Sequence, residues 1–408
     1  LYVSKMAASN LKKEQEQAVG ELLSARDVLA VLPTGFGKSR IFQAFTTVKD
    51  AEENGRVVVL VVAPLTSIIK DQIFQLNALG YPAAALSELK SEELKTCKFK
   101  ILFGSAEDVL KKEFQGELKN STTELHKRLC CIVVDECHTV ETWSGKRSRS
   151  KSSKGKHEVA FGSAFGKLST LRSLCKEEIS YSYSLFELHF FTIECFVPVG
   201  VPVLALTATA DNTTQQTICK ELLMVDATVI FVSPHRENLR FSVAKCKKEE
   251  MHTKLDWLVE MVKEMGIDVP KTIIFCNTMK DIAIVVNHLL ATSSRKEDLL
   301  LGIYHSVTWQ ANKENILKSM AENGSKRIIV ATTALSMGVN FLDVRYIVNW
   351  GPARSLLDQH QEAGRAGRDG KQSYIVILYH GQQLAHCEDD VKRFVKAQDC
   401  YRVQGCRL

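Results

Sequence analysis

Two short stretches hold residues whose types and spacing could do chemistry together. The first is "LPTGFGKS", Leu32 to Ser39. Gly35 and Gly37 let backbone N–H groups turn inward toward an anion. Lys38 could then reach β- and γ-phosphate oxygens, and the Ser39 hydroxyl could ligate Mg²⁺. The second is "IVVDECH", Ile132 to His138, an apolar run ending on two adjacent acids. Asp135 could hold Mg²⁺ while Glu136 orients and deprotonates an attacking water. Together these groups could hydrolyse a nucleoside triphosphate. Each stretch alone has a plainer reading. Leu32 stands where the general phosphate-loop pattern has Gly, so the first could be a glycine turn with a surface lysine. An acidic pair at a strand end could be ordinary surface.

The surrounding elements decide between these readings. "DVLAVL" precedes the glycine loop and "SRIFQAF" follows it, which predicts strand, loop and helix. A helix N-terminus adds partial positive charge at the phosphate position. Further Val- and Ile-rich runs recur: "RVVVLVVAPL", "CCIVVDE" and "VPVLALTAT", then "KTIIFC", "RIIVATT", "VRYIVNW" and "SYIVILY". Continuous apolar runs alternating with helical patterns predict parallel strands covered on both faces. They fall into two sets, so the expected fold is α/β, with two tandem doubly wound parallel sheets. In such sheets ligands sit at the carboxyl ends of strands, which is where both stretches lie. The expected boundaries are a first domain over 1–233, a linker over 234–240, a second domain over 241–385 and a tail over 386–408.

Two segments are long for connections in this architecture. "GKRSRSKSSKGK" follows the acidic pair and cannot bury apolar surface, so a solvated loop is expected. A phosphate-gripping arm or an import-like basic patch are the other readings. The aromatic-rich stretch Lys176 to Gly200 is either an added packed element or sequence foreign to the mature protein.

The bulk numbers agree with a large soluble chain. Its 408 residues exceed one ordinary core. A net charge of +6 permits a nucleic-acid partner without demanding one. The 12 cysteines are scattered, many inside apolar runs, which reads as reduced thiols in an intracellular protein. Zinc is not expected, because Cys400 and Cys406 with His386 and Cys387 are poorly spaced for four ligands. No leader peptide is evident in "LYVSKMAASN", and the strongest apolar runs are too short to span a bilayer. The chain opens on Leu1, as a fragment or a mis-started gene model would.

"LPTGFGKS", "DECH", "ALTATA" and "QEAGRAGRDG" occur in that order and resemble the motifs of superfamily 2 helicases. The set is most similar to the RecQ type of DNA helicase. "LKKEQEQAV" resembles the nucleotide-contacting motif of that family, "VVAPLTSIIKDQ" its first DNA-contacting motif and "VSPHRENLRFSV" its linker. "ATTALSMGVNFLDVRYIVNWGPARSLLDQHQEAGRAGRDG" resembles its last two motifs almost continuously. The resemblance runs from about Leu11 to Gly381.

The resemblance implies two RecA-like domains, ATP and Mg²⁺ as cofactors, and DNA as partner. It also implies 3′-to-5′ unwinding in repair or recombination and a nuclear location. ATP would meet Lys12, Gln15, Thr34, Gly35, Phe36, Gly37, Lys38 and Ser39, with Gln15 reading the adenine edge. Asp135 and Ser39 would hold Mg²⁺, and Glu136 would be the base. His138 would link the ATP site to Thr207 and Thr209. Gln361, Arg365 and Arg368 would face the γ-phosphate. Arg368 is the expected arginine finger, with Arg365 the alternative. Pro64, Ser67, Lys70, Thr332 and Thr333 would meet DNA, and Trp143, with Phe161 and Phe165, would belong to an aromatic-rich DNA-sensing loop.

Four departures stand out. Ala8 lies near the place of the usual adenine-stacking aromatic. Asn340 replaces an Asp, the basic run splits the aromatic loop, and the chain stops where a zinc-binding region would begin. The alternatives are an RNA helicase with the same engine, and a helicase-derived binding protein without turnover.

Overall fold

The computed structural model describes residues 11–64, 66–138, 168, 171, 174, 201–208, 210–233, 235–291, 300–321, 324–335, 341–397 and 400–401. The chain divides into two compact units, Leu1–Leu32 with Phe36–Val232 and Pro33–Gly35 with Ser233–Leu408.

The first unit holds strands β1 (Val28–Val31), β2 (Val58–Val62), β3 (Ala83–Ala85), β4 (Ile101–Gly104), β5 (Leu129–Val134), β6 (Val203–Thr207) and β7 (Thr228–Phe231). They form one sheet in the order β3-β4-β2-β5-β6-β1-β7, with every pair parallel. Successive side chains of a strand point to opposite faces. Accordingly Leu29, Val31, Leu60 and Val62 join one core, and Val28, Ala30, Val59 and Val61 join the other. Burial on both faces is why these strands read as unbroken apolar runs. In the second core Phe42 and Phe103 meet edge to face, with centroids 6.4 Å apart. The buried Asp27 carboxylate accepts the backbone N–H of Val203 at 2.9 Å and of Val225 at 3.0 Å. It thereby ties together segments far apart in sequence.

The second unit holds β8 (Leu239–Lys245), β9 (Thr272–Cys276), β10 (Leu301–Tyr304), β11 (Ile328–Ala331), β12 (Tyr346–Trp350) and β13 (Ser373–Tyr379). Their order is β10-β11-β9-β12-β13-β8, again all parallel. The α/β class with two parallel sheets is as expected.

Two boundaries differ in detail from the sequence expectation. Leu239 and Arg240, read as linker, begin β8 and pair with Ser373 and Tyr374. The expected tail contains a helix, Asp389–Lys396, whose Val391, Phe394 and Val395 are buried beside Ile377 and Tyr379. Those apolar residues recur at helical spacing, which gives the segment a face to bury. The basic run, the aromatic-rich stretch Lys176 to Gly200, Ala8, Asn340 and Cys406 lie outside the described residues. No helix among the described residues is long and apolar enough to cross a membrane.

Candidate functional site

The order of strands puts β6 between β5 and β1, so the phosphate loop and the acidic pair flank the end of β6. The loop leaves β1 at Leu32, whose N–H donates to the Thr207 carbonyl at 2.9 Å. Gly35 and Gly37 have φ of +83° and +91°, a left-handed region that side chains disfavour. The helix Ser39–Glu52 starts directly after Lys38 and buries Ile41, Phe42 and Phe45. Lys38 Nζ reaches the Leu32 carbonyl at 3.5 Å. Loop, lysine and hydroxyl are therefore held on a rigid strand-to-helix turn.

Gln15 fastens this loop from the preceding helix, Lys13–Leu23. Its Nε2 donates to the carbonyls of Phe36 and Gly37, each at 3.0 Å. Its Oε1 accepts the Lys12 backbone N–H at 2.9 Å. The Lys12 ammonium lies 3.9 Å from the centre of the Phe36 ring, a cation–π contact. Thr34 is partly exposed in the same loop.

Asp135 follows β5 and is buried, and its N–H donates to the Val62 carbonyl at 2.9 Å. Burial and the neighbouring Glu136 carboxylate push the Asp135 carboxyl above its ordinary range, while the Lys38 ammonium pulls it back. Lys38 and Asp135 are therefore near enough for their charges to interact. Glu136 has φ of +49°, and its N–H donates to Asp135 Oδ1 at 3.0 Å. His138 Nδ1 lies 3.0 Å from Thr207 Oγ1 and 3.5 Å from Glu136 Oε2. The acidic pair is so joined to β6 through one buried imidazole. Thr209 is outside the described residues.

In the second unit Gln361, Arg365 and Arg368 stand on or just beyond the helix Leu356–Ala363. Ser355 caps that helix, accepting the Asp358 N–H at 3.1 Å. Gln361 is buried, and both arginines are partly exposed. Arg368 Nε donates to the Gly364 carbonyl at 3.3 Å.

Sequence reading missed the groups that hold this turn. Arg236 donates to the Gly364 and Gly367 carbonyls. Asn238 Nδ2 donates to the carbonyls of Gly367 and Lys371, both at 2.8 Å. A Cβ on Gly367 would come within 2.5 Å of that amide, and its φ is +57°. Nothing in the spacing of "PHREN" announces this role, since the bonds span more than a hundred residues.

Behind the arginines lies a buried polar network. Gln359 Nε2 donates to Asn349 Oδ1 at 2.8 Å, Gln359 Oε1 accepts the Ala353 N–H at 3.1 Å, and Asn349 Nδ2 donates to Glu362. Burial pushes Glu362 up to about 8, with Asp358 adding to the rise and Asn349 and Arg365 opposing it. A carboxyl that stays neutral in the folded state favours folding below its unfolded value near 4.5, and that stability is lost as pH rises toward 8. Glu362→Gln is permanently neutral. Urea melts of the variant should therefore gain on wild type by roughly 1 kcal/mol per pH unit between about pH 5 and 8. Parallel pH profiles would show that Glu362 ionises normally.

Of the residues expected to meet DNA, Pro64 is buried and Lys70 is exposed on the helix Thr66–Ala78. Ser67 lies in that helix. The N–H of Thr332 donates to the Tyr304 carbonyl at 3.2 Å, and Thr333 is exposed at the start of a 3₁₀ turn. Trp143, Phe161 and Phe165 lie outside the described residues.

Comparison with known proteins agrees with this fold. A family model described as DEAD/DEAH box helicase matches residues 12–173, and one described as helicase conserved C-terminal domain matches 253–370. The chain belongs to the superfamily 2 helicases. Its core is 26% identical over 384 residues to the ATP-dependent DNA helicase RecQ of Haemophilus influenzae, covering 92% of this chain and 52% of that protein. It is 28% identical to the ATP-dependent DNA helicase hus2/rqh1 of Schizosaccharomyces pombe, covering 92% of this chain and 25% of the relative. A putative ATP-dependent RNA helicase, R290 of Acanthamoeba polyphaga mimivirus, is 27% identical over 92% of this chain and 59% of its own length. The helicase core thus spans about half or less of the first two relatives. Among solved structures, the DUF1998 helicase MrfA bound to DNA and AMPPNP superposes with a TM-score of 0.69 at 16% identity, over 97% of this chain and 51% of that one. Mss116p bound to single-stranded RNA and AMP-PNP gives 0.70 at 17%, over 97% and 74%. These likenesses concern the fold.

Proposed function

We propose that this helicase core is of the RecQ type, hydrolysing ATP in response to DNA and coupling it to 3′-to-5′ translocation and unwinding. The observation that carries the ATPase reading is the convergence of Lys38, Ser39, Asp135 and Glu136 at the carboxyl ends of β1 and β5. Ser39 and Asp135 would hold Mg²⁺. The buried Asp135 carboxylate, disfavoured without a counter-charge, suits a divalent cation. Bound Mg²⁺ would neutralise charge on the transferred phosphoryl group. Lys38 and the loop N–H groups bind phosphate oxygens, and Glu136 takes the proton of the attacking water. Arg365 or Arg368 supplies positive charge to the transition state. Pro64, Ser67, Lys70, Trp143, Thr332 and Thr333 are the proposed contacts to DNA. Repair or recombination in the nucleus is the setting this type implies.

The RNA helicase reading rests on the mimiviral relative and shares the same engine. ATP hydrolysis measured with single-stranded DNA, with RNA and with neither separates the two. DNA stimulation that disappears in Glu136→Gln is expected. Stimulation by RNA alone would transfer the chain to the other class. Nucleic-acid binding without any Glu136-dependent turnover would leave a binding protein.

A further inference from the structure

The turn that carries Arg365 and Arg368 has committed its main-chain donors. The N–H groups of Gly364, Arg365 and Ala366 donate to the carbonyls of His360, Glu362 and Ala363 at 2.8, 3.1 and 3.1 Å. Those of Gly367 and Asp369 donate to Val344 and Leu342 at 2.9 and 3.0 Å. Positive charge from this turn must therefore come through its guanidiniums, and their aim depends on where the backbone sits. The carbonyls on that backbone are held by the segment leading into β8. Arg236 Nη1 donates to Gly364 at 3.4 Å and Nη2 donates to Gly367. The Gly364 carbonyl also accepts Arg368 Nε at 3.3 Å, so Arg236 and Arg368 meet at one oxygen. Gly367 has little room to drift, since a Cβ there would lie 2.5 Å from Asn238 Nδ2 and 2.7 Å from Ser373 Oγ. Burial holds the Arg236 guanidinium below its ordinary pKa, with Asp369 opposing, while Asp369 itself pairs with Arg345 through both oxygens. The acceptors of Arg236 are carbonyl oxygens, which an anionic nucleotide does not seek, so nucleotide binding does not compete for them.

We infer that Arg236, in the connection before β8, is a positioning residue for ATP hydrolysis, fixing the backbone from which Arg365 or Arg368 presents its charge to the transition state. The inference rests on the proposed hydrolysis and adds to it a residue whose own bonds go to main-chain carbonyls. A planar, two-pronged guanidinium suits two carbonyls of one turn, and a single ammonium does not. Arg236 thus acts through another arginine.

The test compares equilibrium binding of ADP and of ADP with aluminium fluoride to the whole chain, with Mg²⁺ and single-stranded DNA present. The fluoride stands in for the phosphoryl group in transfer, so a group that acts in the transition state tightens the second ligand and not the first. Misplacement by about 1 Å can cost about 10²-fold. Arg236→Ala should therefore weaken the analogue and lower kcat by about 10²-fold, while ADP affinity changes by less than about threefold. Arg236→Lys should recover only part of the loss. In a chain carrying both Arg365→Ala and Arg368→Ala, adding Arg236→Ala should weaken the analogue no further. Equal losses for both ligands, an unchanged analogue affinity, or an added loss in that background would overturn the inference. Should Arg236→Ala fold poorly, Arg236→Lys and Asn238→Ala carry the test, judged by the same ratio of the two affinities. Absence of Glu136-dependent turnover in the wild type would instead remove the hydrolysis reading itself, which is a different result.

Discussion

Replacing Glu136 with glutamine should lower nucleic-acid-stimulated ATP turnover by about 10²–10⁴-fold, the span that general-base catalysis contributes. The substitution keeps the size of the side chain and its capacity to hydrogen-bond, but removes the ability to take a proton from water. The backbone at Glu136 is constrained: its φ is +49°, its N–H is bound to Asp135 Oδ1, and the next N–H, of Cys137, is bound to the Leu206 carbonyl at 2.9 Å. The amide should therefore occupy the same place as the carboxylate. Nucleotide affinity should change little, because Lys38, Ser39 and Asp135 remain. Single-turnover hydrolysis alongside equilibrium nucleotide binding makes the check. Turnover within a few-fold of wild type would mean that another group activates the water.

Arg368→Ala should be at least as damaging, lowering kcat by about 10³–10⁵-fold if Arg368 is the arginine finger. The loss should fall on kcat more than on KM, since a finger acts on charge that develops in the transition state. Arg368→Lys should recover little, because an ammonium cannot reproduce the planar fork. Arg365→Ala is the necessary companion. Should Arg365→Ala show the larger kcat effect while Arg368→Ala chiefly weakens nucleic-acid binding, the two assignments are exchanged. The bonds of Arg236 and Asn238 to Gly364 and Gly367 are independent of both side chains, so the turn should survive either change.

The central strands were legible from sequence because burial on both faces leaves an unbroken apolar run. β1, β2, β5, β6, β9, β11, β12 and β13 all coincide with such runs. The strands that escaped notice lie at or near sheet edges. β3 is three alanines, β10 contains Gly302, and β8 alternates toward partial exposure. β7, β8 and β10 leave residues exposed and so lack a continuous apolar run, while β3 and β4 are largely buried but only three and four residues long. The tail helix was missed because its apolar face is only Val391, Phe394 and Val395 amid charge.

The candidate site divides in the same way. Lys38, Ser39, Asp135 and Glu136 announce themselves because phosphate and metal chemistry need fixed residue types at strand ends. Arg236, Asn238 and Asn349 do not. They are ordinary polar residues whose meaning comes from carbonyls and carboxyls that only folding brings near. Gln15 stood out through the resemblance, whereas its bonds to the Phe36 and Gly37 carbonyls come from the folded loop.

The sheet of the first unit has one further consequence for the long stretch between the acidic pair and β6. β5 and β6 are neighbours, with Ile132 opposite Val203, and Asp27 holds the Val203 N–H. Both ends of the intervening chain are thereby moored side by side. The closure entropy of a chain segment tethered at both ends grows only with the logarithm of its length, about 0.6 kcal/mol per doubling. Excising Lys146 to Lys156 should therefore leave the melting of the first unit unchanged to within a few tenths of a kcal/mol, as urea or thermal melts would show. An altered DNA-stimulated turnover in that variant would report on what the basic run does, whereas a marked loss of stability would mean that it packs against the sheet. Between those ends Leu168 and Leu171 are buried in the first core, a third mooring that leaves the basic run before it free to be cut back on its own.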